Sequence, residues 1–349
     1  MTSDTGKLVT RGTPCVMRAH GGGGELMQRL IRERFLPHLG NETLSALTDG
    51  AVLPWNGDRL AFTTDSFVVT PIEFPGGDIG RLAVCGTVND LAMMGATPVA
   101  LSLGLILEEG LPLPVLDRVV ASLATSAAEA GVRIVTGDTK VIEHRPGPTD
   151  SGMMINTAGI GKLMPAAQLG TSRIVAGDAV LLSGPIAEHG LAILSVRNGL
   201  EFDTPLLSDA APLAGLVAAL LDSGADVKFL RDPTRGGVAG VWADVAEERG
   251  LTIEIDEDRI PIVPAARQAA ELLGLDPLAV ANEGKLVAIV AGADRERAVA
   301  AMRRHPLGQG AVAVGRVVDR QPPLVELLTR YGGRRIVQRP YGEELPRIC

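Results

Sequence analysis

Apolar positions along this chain switch repeatedly between helical spacing and the alternation of strands. In "ELMQRLIRERFLPHLG", Leu26, Leu30 and Phe35 recur near helical spacing and residues 37–40 close the pattern, which predicts an amphipathic helix. "RLAFTTDSFVV" mixes β-branched and aromatic residues and predicts a strand. "IGRLAVCGTVNDLAMMG" reads as an apolar helix ended by Gly95, "PVALSLGLIL" as a buried strand and "LPVLDRVVASLATSAAEAG" as a helix. "VRIVTGDTKVI" and "INTAGIGKL" complete this unit as strands.

Near "TSRIVAGDAVLLSGPI" the pattern starts again. A strand, a glycine-rich turn and the helix "EHGLAILSVRNG" are followed by a long helix from about Pro212. "VKFLRDPTRGGVAGVWADVAEERG" is a strand, a loop and a helix; "LTIEIDEDRIPIV", "KLVAIVAG" and "AVAVGRVVDR" are strands. The segment from Tyr331, rich in Arg, Pro and Gly, reads as a tail. The expected organisation is a glycine-rich segment and helix at 1–40, a first α/β domain at 41–165, a second at 170–330 and a mobile tail at 331–349. The boundary falls near residues 167–175.

Composition narrows the functions this organisation can serve. The chain has 349 residues, 46% of them hydrophobic and 21% charged, enough for packed cores in two domains. Only 3% are aromatic and the formal net charge is −8, which argues against a stacking platform or a phosphate-backbone binder for nucleic acid. No apolar run reaches the roughly eighteen residues of a membrane span, and the first residues lack the apolar core of a secretory leader. Cys15, Cys85 and Cys349 show no C-x-x-C spacing, which points away from disulfides and zinc and toward the reducing cytosol. Cys15 and Cys85 read as small buried hydrophobes.

The residues that stand out chemically are acidic. Asp49 ("TDGAVL"), Asp65 ("TTDSF"), Asp90 ("VNDLA"), Asp138 ("TGDTK") and Asp232 ("RDPTRGG") lie at strand ends, in turns or in apolar stretches, not on charged helix faces. Helix caps and Asx-turns account for any one of them. Together they also suit Mg²⁺, which takes oxygen ligands from several loops and shares the rest of its octahedron with phosphate and water. No G-x-x-x-x-G-K-[ST] loop is present, so backbone N–H groups of "HGGGG", with Gly22 and Gly23, and of "TRGG" are the candidates to cradle phosphates. Strand alternation puts Lys140 on the same face as Asp138, and Glu283 sits in "ANEGKL" before an apolar strand. The sequence ends "PRIC", on Cys349.

These motifs, in this order, resemble the HypE family of [NiFe]-hydrogenase maturation factors, the carbamoyl dehydratases. The matching stretches are "HGGGGELMQ", "LAFTTDSFVVTPIEFPGGDIGRLAVCGTVNDLAMMGATP", "LILEEGLP", "GVRIVTGDTKV", "INTAGIG", "DPTRGGV", "ANEGKL", "HPLGQGAVAVGRV" and "PRIC". They run from His20 to the end, and "PRIC" separates this family from a wider ATP-binding superfamily that includes aminoimidazole ribonucleotide synthetase, selenophosphate synthetase and thiamine-monophosphate kinase. The resemblance implies a two-domain α/β (α+β) fold whose first domain pairs across a homodimer in a β-barrel-like interface, with a flexible C-terminal tail. It implies ATP and Mg²⁺ as cofactors, with Asp49, Asp65, Asp90, Asp138 and Asp232 at the metal and nucleotide, joined by Gly22, Gly23, Asn89 and Thr139. Asp49 is followed by Gly50 where relatives often carry a second Asp.

The implied reaction begins with a HypF-type carbamoyltransferase loading Cys349 as a thiocarbamate. ATP then phosphorylates the amide oxygen, a base takes the nitrogen proton, and phosphate leaves a thiocyanate. Glu283 and Lys140 are the expected catalytic pair. A HypC–HypD-type iron-carrying complex receives the cyanide. A tail from Tyr331 to Cys349 reaches on the order of 60 Å when extended, at roughly 3.3 Å per residue. The competing expectations are another ATP-dependent enzyme of the superfamily acting on a free small molecule, and a nucleotide-gated scaffold without turnover.

Overall fold

The computed structural model describes residues 24–39, 45, 47–55, 58–143, 152–200, 202, 205–342 and 348–349. His20, Gly22 and Gly23 lie outside them, as does Cys15. The predicted first helix is present as α1 (Glu25–Leu30), a π-helical turn (Ile31–Phe35) and α2 (Leu36–Leu39).

Five strands build the first domain: β1 (Ala51–Trp55), β2 (Asp58–Phe67), β5 (Ala96–Glu108), β6 (Arg133–Ile142) and β7 (Met153–Leu163). Their order is β1-β2-β7-β5-β6, with only β5 and β6 parallel. A two-stranded ribbon, β3 (Glu73–Phe74) and β4 (Gly77–Asp78), leads into α3 (Ile79–Met93). Asp78 caps α3, accepting from the amides of Gly80 and Arg81. The helix is apolar all round because the sheet, α4 (Leu113–Glu129) and the second domain all cover it.

One face of this sheet carries the core under α3 and α4; Phe67, Leu101, Met153 and Ile155 point into it. The other face carries side chains that no described residue covers. Phe62 is 42% and Ile106 39% exposed on it. Register fixes which residues join them. Asp138 stands beside Gly104, Asn156 and Ser66, and Lys140 beside Ile106, so both belong to the uncovered face.

The second domain is a seven-stranded sheet in the order β14-β13-β10-β12-β8-β11-β9. Its strands are β8 (Ala179–Leu182), β9 (Val227–Arg231), β10 (Thr252–Asp256), β11 (Val287–Val290), β12 (Val312–Val318), β13 (Val325–Leu328) and β14 (Arg334–Val337). Fully buried Trp242 on α7 (Gly237–Arg249) centres the core on one face. On the other, α6 (Ala214–Leu221) and α9 (Arg295–Arg303) bury Leu216, Leu220, Ala298 and Met302. Two more helices, α5 (Glu188–Arg197) and α8 (Pro264–Leu273), pack together beside them. The helix expected from Pro212 is the short α6.

Part of the expected tail is packed structure. Strand β14 extends the sheet by pairing with β13. Beyond it, Arg339 binds Glu25, Asp244 and Glu247, and the carbonyls of Pro340 and Tyr341 accept from the amides of Glu25 and Leu26. Alternation of Ile336 and Val337 among arginines was too short a strand signal to register against the Gly and Pro around it.

Candidate active site

Four of the aspartates meet where the two domains face each other. Asp49 precedes β1, Asp65 lies on the core side of β2, Asp90 near the end of α3, and Asp232 just after β9. All four line one cavity of about 500 Å³ with Thr63, Arg231 and Arg235. Gly86 keeps it open on the α3 side, since a Cβ there would come within 2.9 Å of the Phe67 ring. Gly237 is required by the turn before α7: its φ is +58°, and a Cβ would meet the Leu278 carbonyl oxygen at 2.4 Å.

So many carboxylates in one place perturb each other. Burial raises the pKa of Asp90 well above the carboxylate range, and the charges of Asp232, Asp49 and Asp65 add to it. Asp232 is raised by burial and then by Asp49. Asp65 is raised by burial, with Arg235 opposing. The hydrogen bonds agree with a protonated Asp90. Thr63 Oγ1 lies 2.7 Å from Asp90 Oδ2 and 3.0 Å from the Asp49 carbonyl oxygen, and a hydroxyl has one hydrogen to give. Both contacts are satisfied when Asp90 donates to Thr63 and Thr63 donates to Asp49. Arg231 holds Asp49 at 3.0 Å and Asp244 at 3.3 Å.

Glu283 stands on the loop before β11, 1% exposed, and its Oε1 has no hydrogen-bond partner; nor has Asp232 Oδ2. Burial raises Glu283 well above the carboxylate range, helped by Asp232, Asp65 and Asp209, while Arg235 lowers it. Its backbone is held from two sides. The Glu283 amide donates to Asp209 Oδ1 at 3.0 Å, and its carbonyl accepts from Asn89 Nδ2 at 3.1 Å. Asn89 also donates to the Ala211 carbonyl and accepts from the Leu213 amide, so this fully buried side chain is committed to joining the domains and positioning Glu283.

Cys349 is also here. Ile348 is 3% exposed within the first domain's core, and a terminal carboxylate oxygen of Cys349 accepts from the Val68 amide at 3.3 Å. The charge at Cys349 is the largest influence keeping Arg235 protonated, followed among charges by Asp65, Glu283 and Asp90. Arg235, which lines the acidic cavity, is therefore close enough to Cys349 to feel its charge.

Within one chain, Asp138, Thr139 and Lys140 do not join this group. They sit on edge strand β6, three strands from β2, where Lys140 pairs with Asp138 at 3.4 Å and both side chains are more than 70% exposed. Asp65 faces the opposite side of the sheet. Sequence spacing gave the shared face of Asp138 and Lys140 but not which face it was. Sequence reading also missed Arg235, Asp209 and His189. Arg235 was visible beside Asp232 in "DPTRGG"; His189 was a polar residue directly before the apolar run "GLAIL"; Asp209 had no signal.

Among the described residues, no three histidine, cysteine, aspartate or glutamate side chains converge closely enough to hold a metal unaided. Among the same residues, no helix is long and apolar enough to cross a membrane.

The two halves of the site correspond to two family domains. Residues 47–163 match the N-terminal domain of AIR synthase related proteins and residues 175–325 their C-terminal domain. That sets the class. Within it, the carbamoyl dehydratase HypE of Cupriavidus necator is 49% identical over 331 residues, covering 95% of this chain and 93% of that protein. A chain of a crystallised HypE–HypF complex has a TM-score of 0.83 at 47% identity, over 89% of this chain and 99% of that one. HypE crystallised with ATP has a TM-score of 0.79 at 45% identity, over 94% and 98%. The chain belongs to the HypE family.

Proposed function

We propose that this protein is an ATP-dependent carbamoyl dehydratase that converts a thiocarbamate on its own Cys349 into a thiocyanate, the cyanide source for the iron of a [NiFe]-hydrogenase. The observation that carries this reading is the seating of Ile348 and Cys349 beside Arg235, at the edge of a cavity walled by Asp49, Asp65, Asp90 and Asp232. Orphaned buried oxygens on Asp232 and Glu283, and carboxylates whose pKa values are raised by burial first and by one another's charges next, suit a site completed by a cation and its polyphosphate. Asp49, Asp65, Asp90 and Asp232 would hold Mg²⁺ with the phosphates of ATP, which neutralises charge as phosphoryl transfer proceeds.

The chemistry then needs little from the protein beyond placement and one base. The thiocarbamate oxygen attacks the γ-phosphorus, forming the O–P bond and releasing ADP; one N–H proton is lost to give an iminophosphate. Loss of the second N–H proton and departure of phosphate form the C≡N bond. Glu283 is the base: its elevated pKa strengthens it as a proton acceptor, and Asp209 and Asn89 fix its backbone. Arg235 faces the charge that develops between cavity and tail.

A homodimer completes this arrangement. The uncovered face of the first sheet, with Phe62, Ile106, Asp138 and Lys140, is the surface a second copy would cover in a barrel-like interface, carrying its Asp138 and Lys140 toward the partner's nucleotide. A HypF-type carbamoyltransferase loads Cys349, and a HypC–HypD-type complex takes the cyanide, in the cytoplasm.

The test is intact-protein mass spectrometry after incubation with the carbamoylating partner and ATP. The wild type should gain a carbamoyl group on Cys349 and then lose one water. Glu283→Gln should bind ATP and accept the carbamoyl group but lose water about 10²–10⁴ times more slowly, the usual weight of a general base. Dehydration by Glu283→Gln at the wild-type rate places the base elsewhere.

A further inference from the structure

We infer that His189 is the positioning residue that seats Ile348 and Cys349 for reaction, by a hydrogen bond from its imidazole to the Ile348 backbone carbonyl. The inference rests on the reading of Cys349 as the reacting group. His189 is the second residue of α5 and is fully buried. A buried imidazole must have both nitrogens engaged to offset its desolvation. Here Nε2 lies 2.5 Å from the Ile348 carbonyl oxygen and Nδ1 2.8 Å from Ser208 Oγ.

The partners dictate the tautomer. A carbonyl only accepts, so Nε2 carries the hydrogen. In the neutral ring Nδ1 is then bare and accepts from the Ser208 hydroxyl, whose oxygen in turn accepts from the Ala210 amide at 3.2 Å. Burial lowers the pKa of His189, with Arg197 acting in the same direction and Asp209 and the bond to Ile348 opposing, which keeps this neutral form. The Phe74 ring stands edge-on to the imidazole, with centroids 5.6 Å apart. Ser208 and Phe74 thus orient the ring without help from Ile348 or Cys349. The one valence left over is the Nε2 hydrogen, aimed at the Ile348 carbonyl.

Three contacts define the seat: His189 on the Ile348 carbonyl, the Val68 amide on a terminal carboxylate oxygen of Cys349, and the core pocket around the Ile348 side chain. Two of the three read backbone, so the seat fixes the backbone that carries the sulfur. Removing His189 should loosen the seat without altering the chemistry of the thiol.

The experiment is the alkylation rate of Cys349 by iodoacetamide in the full-length protein, read on its own peptide by mass spectrometry. Cys85, buried and with its pKa pushed up to about 12, is the unreactive internal control. His189→Ala should raise the Cys349 rate about tenfold, the weight of one buried hydrogen bond. His189→Gln, whose amide N–H reaches the same carbonyl, should restore most of the protection. Ser208→Ala, which removes the hydroxyl that orients the ring and that the Ala210 amide also binds, should give an intermediate rate. In the carbamoylated protein the same order should appear in dehydration, with ATP affinity unchanged. Equal alkylation rates in the wild type, His189→Ala and Ser208→Ala, with Cys85 still protected, would overturn the inference while leaving the dehydratase reading intact. Protection that depends on His189 in a protein that never dehydrates Cys349 would support the seat and defeat the function.

Discussion

Asp90→Asn and Asp232→Asn should each make the nucleotide-free protein more stable and abolish its stabilisation by Mg·ATP. Both carboxylates have raised pKa values in the folded chain, from burial first and from neighbouring aspartates next. A carboxylate whose folded pKa is raised binds more protons in the native than in the unfolded state. Stability is then greatest below the ordinary carboxylate pKa of about 4 and falls as pH rises through the raised value. Each pKa unit of elevation is worth about 1.4 kcal/mol. Asparagine cannot ionise, so the gain over wild type should be near zero below about pH 4, grow as the pH rises, and level off once the pH passes the raised values. Mg·ATP should stabilise the wild type by about 2.7 kcal/mol at a hundred times its dissociation constant, and the variants by much less. Urea denaturation across this pH range, with and without Mg·ATP, measures both. Variants less stable than wild type at pH 9, or still protected by Mg·ATP, would refute the argument that these carboxylates are strained for ligand binding.

The uncovered sheet face predicts a dimer by light scattering at micromolar concentration, and Phe62→Glu or Ile106→Glu should yield monomers; unchanged mass in both variants would remove this face from the interface. If Lys140 acts across that interface, mixing Lys140→Ala with Glu283→Gln protein should restore about a quarter of wild-type dehydration, since half the dimers are mixed and each carries one intact site. No recovery on mixing would confine Lys140 to its own chain.

How much of this was legible in the sequence depended on the range of the contacts involved. The aspartates announced themselves locally, because an Asp in an apolar stretch such as "VNDLA" needs a partner wherever it ends up. That Asp65 and Asp90 share a cavity follows from β2 lying against α3, a packing that only the folded chain shows. Asp138 has the same local signature and lies on the other face of the sheet, because a strand's face is set by register with β5 and β7 and not by its own residues. Asn89 next to Asp90 looked like part of the nucleotide site, yet its three bonds all reach residues more than a hundred positions away. His189 was hidden for a similar reason: its partner Ile348 is 159 residues off and offers only a backbone carbonyl, which any sequence could supply.

Glu283 ties the cavity to the tail electrostatically. After burial, the charge of Asp232 is the largest influence raising its pKa, and Arg235 pulls the other way. Arg235 in turn is held charged chiefly by Cys349. Neutralising Asp232 relieves Glu283 of a repulsion and favours its ionised form, the form that accepts a proton. Seating Cys349 beside Arg235 fixes the cation that also favours that form. The ionisation of Glu283 therefore follows burial first, then the charge of Asp232 on one side and that of Arg235 beside Cys349 on the other.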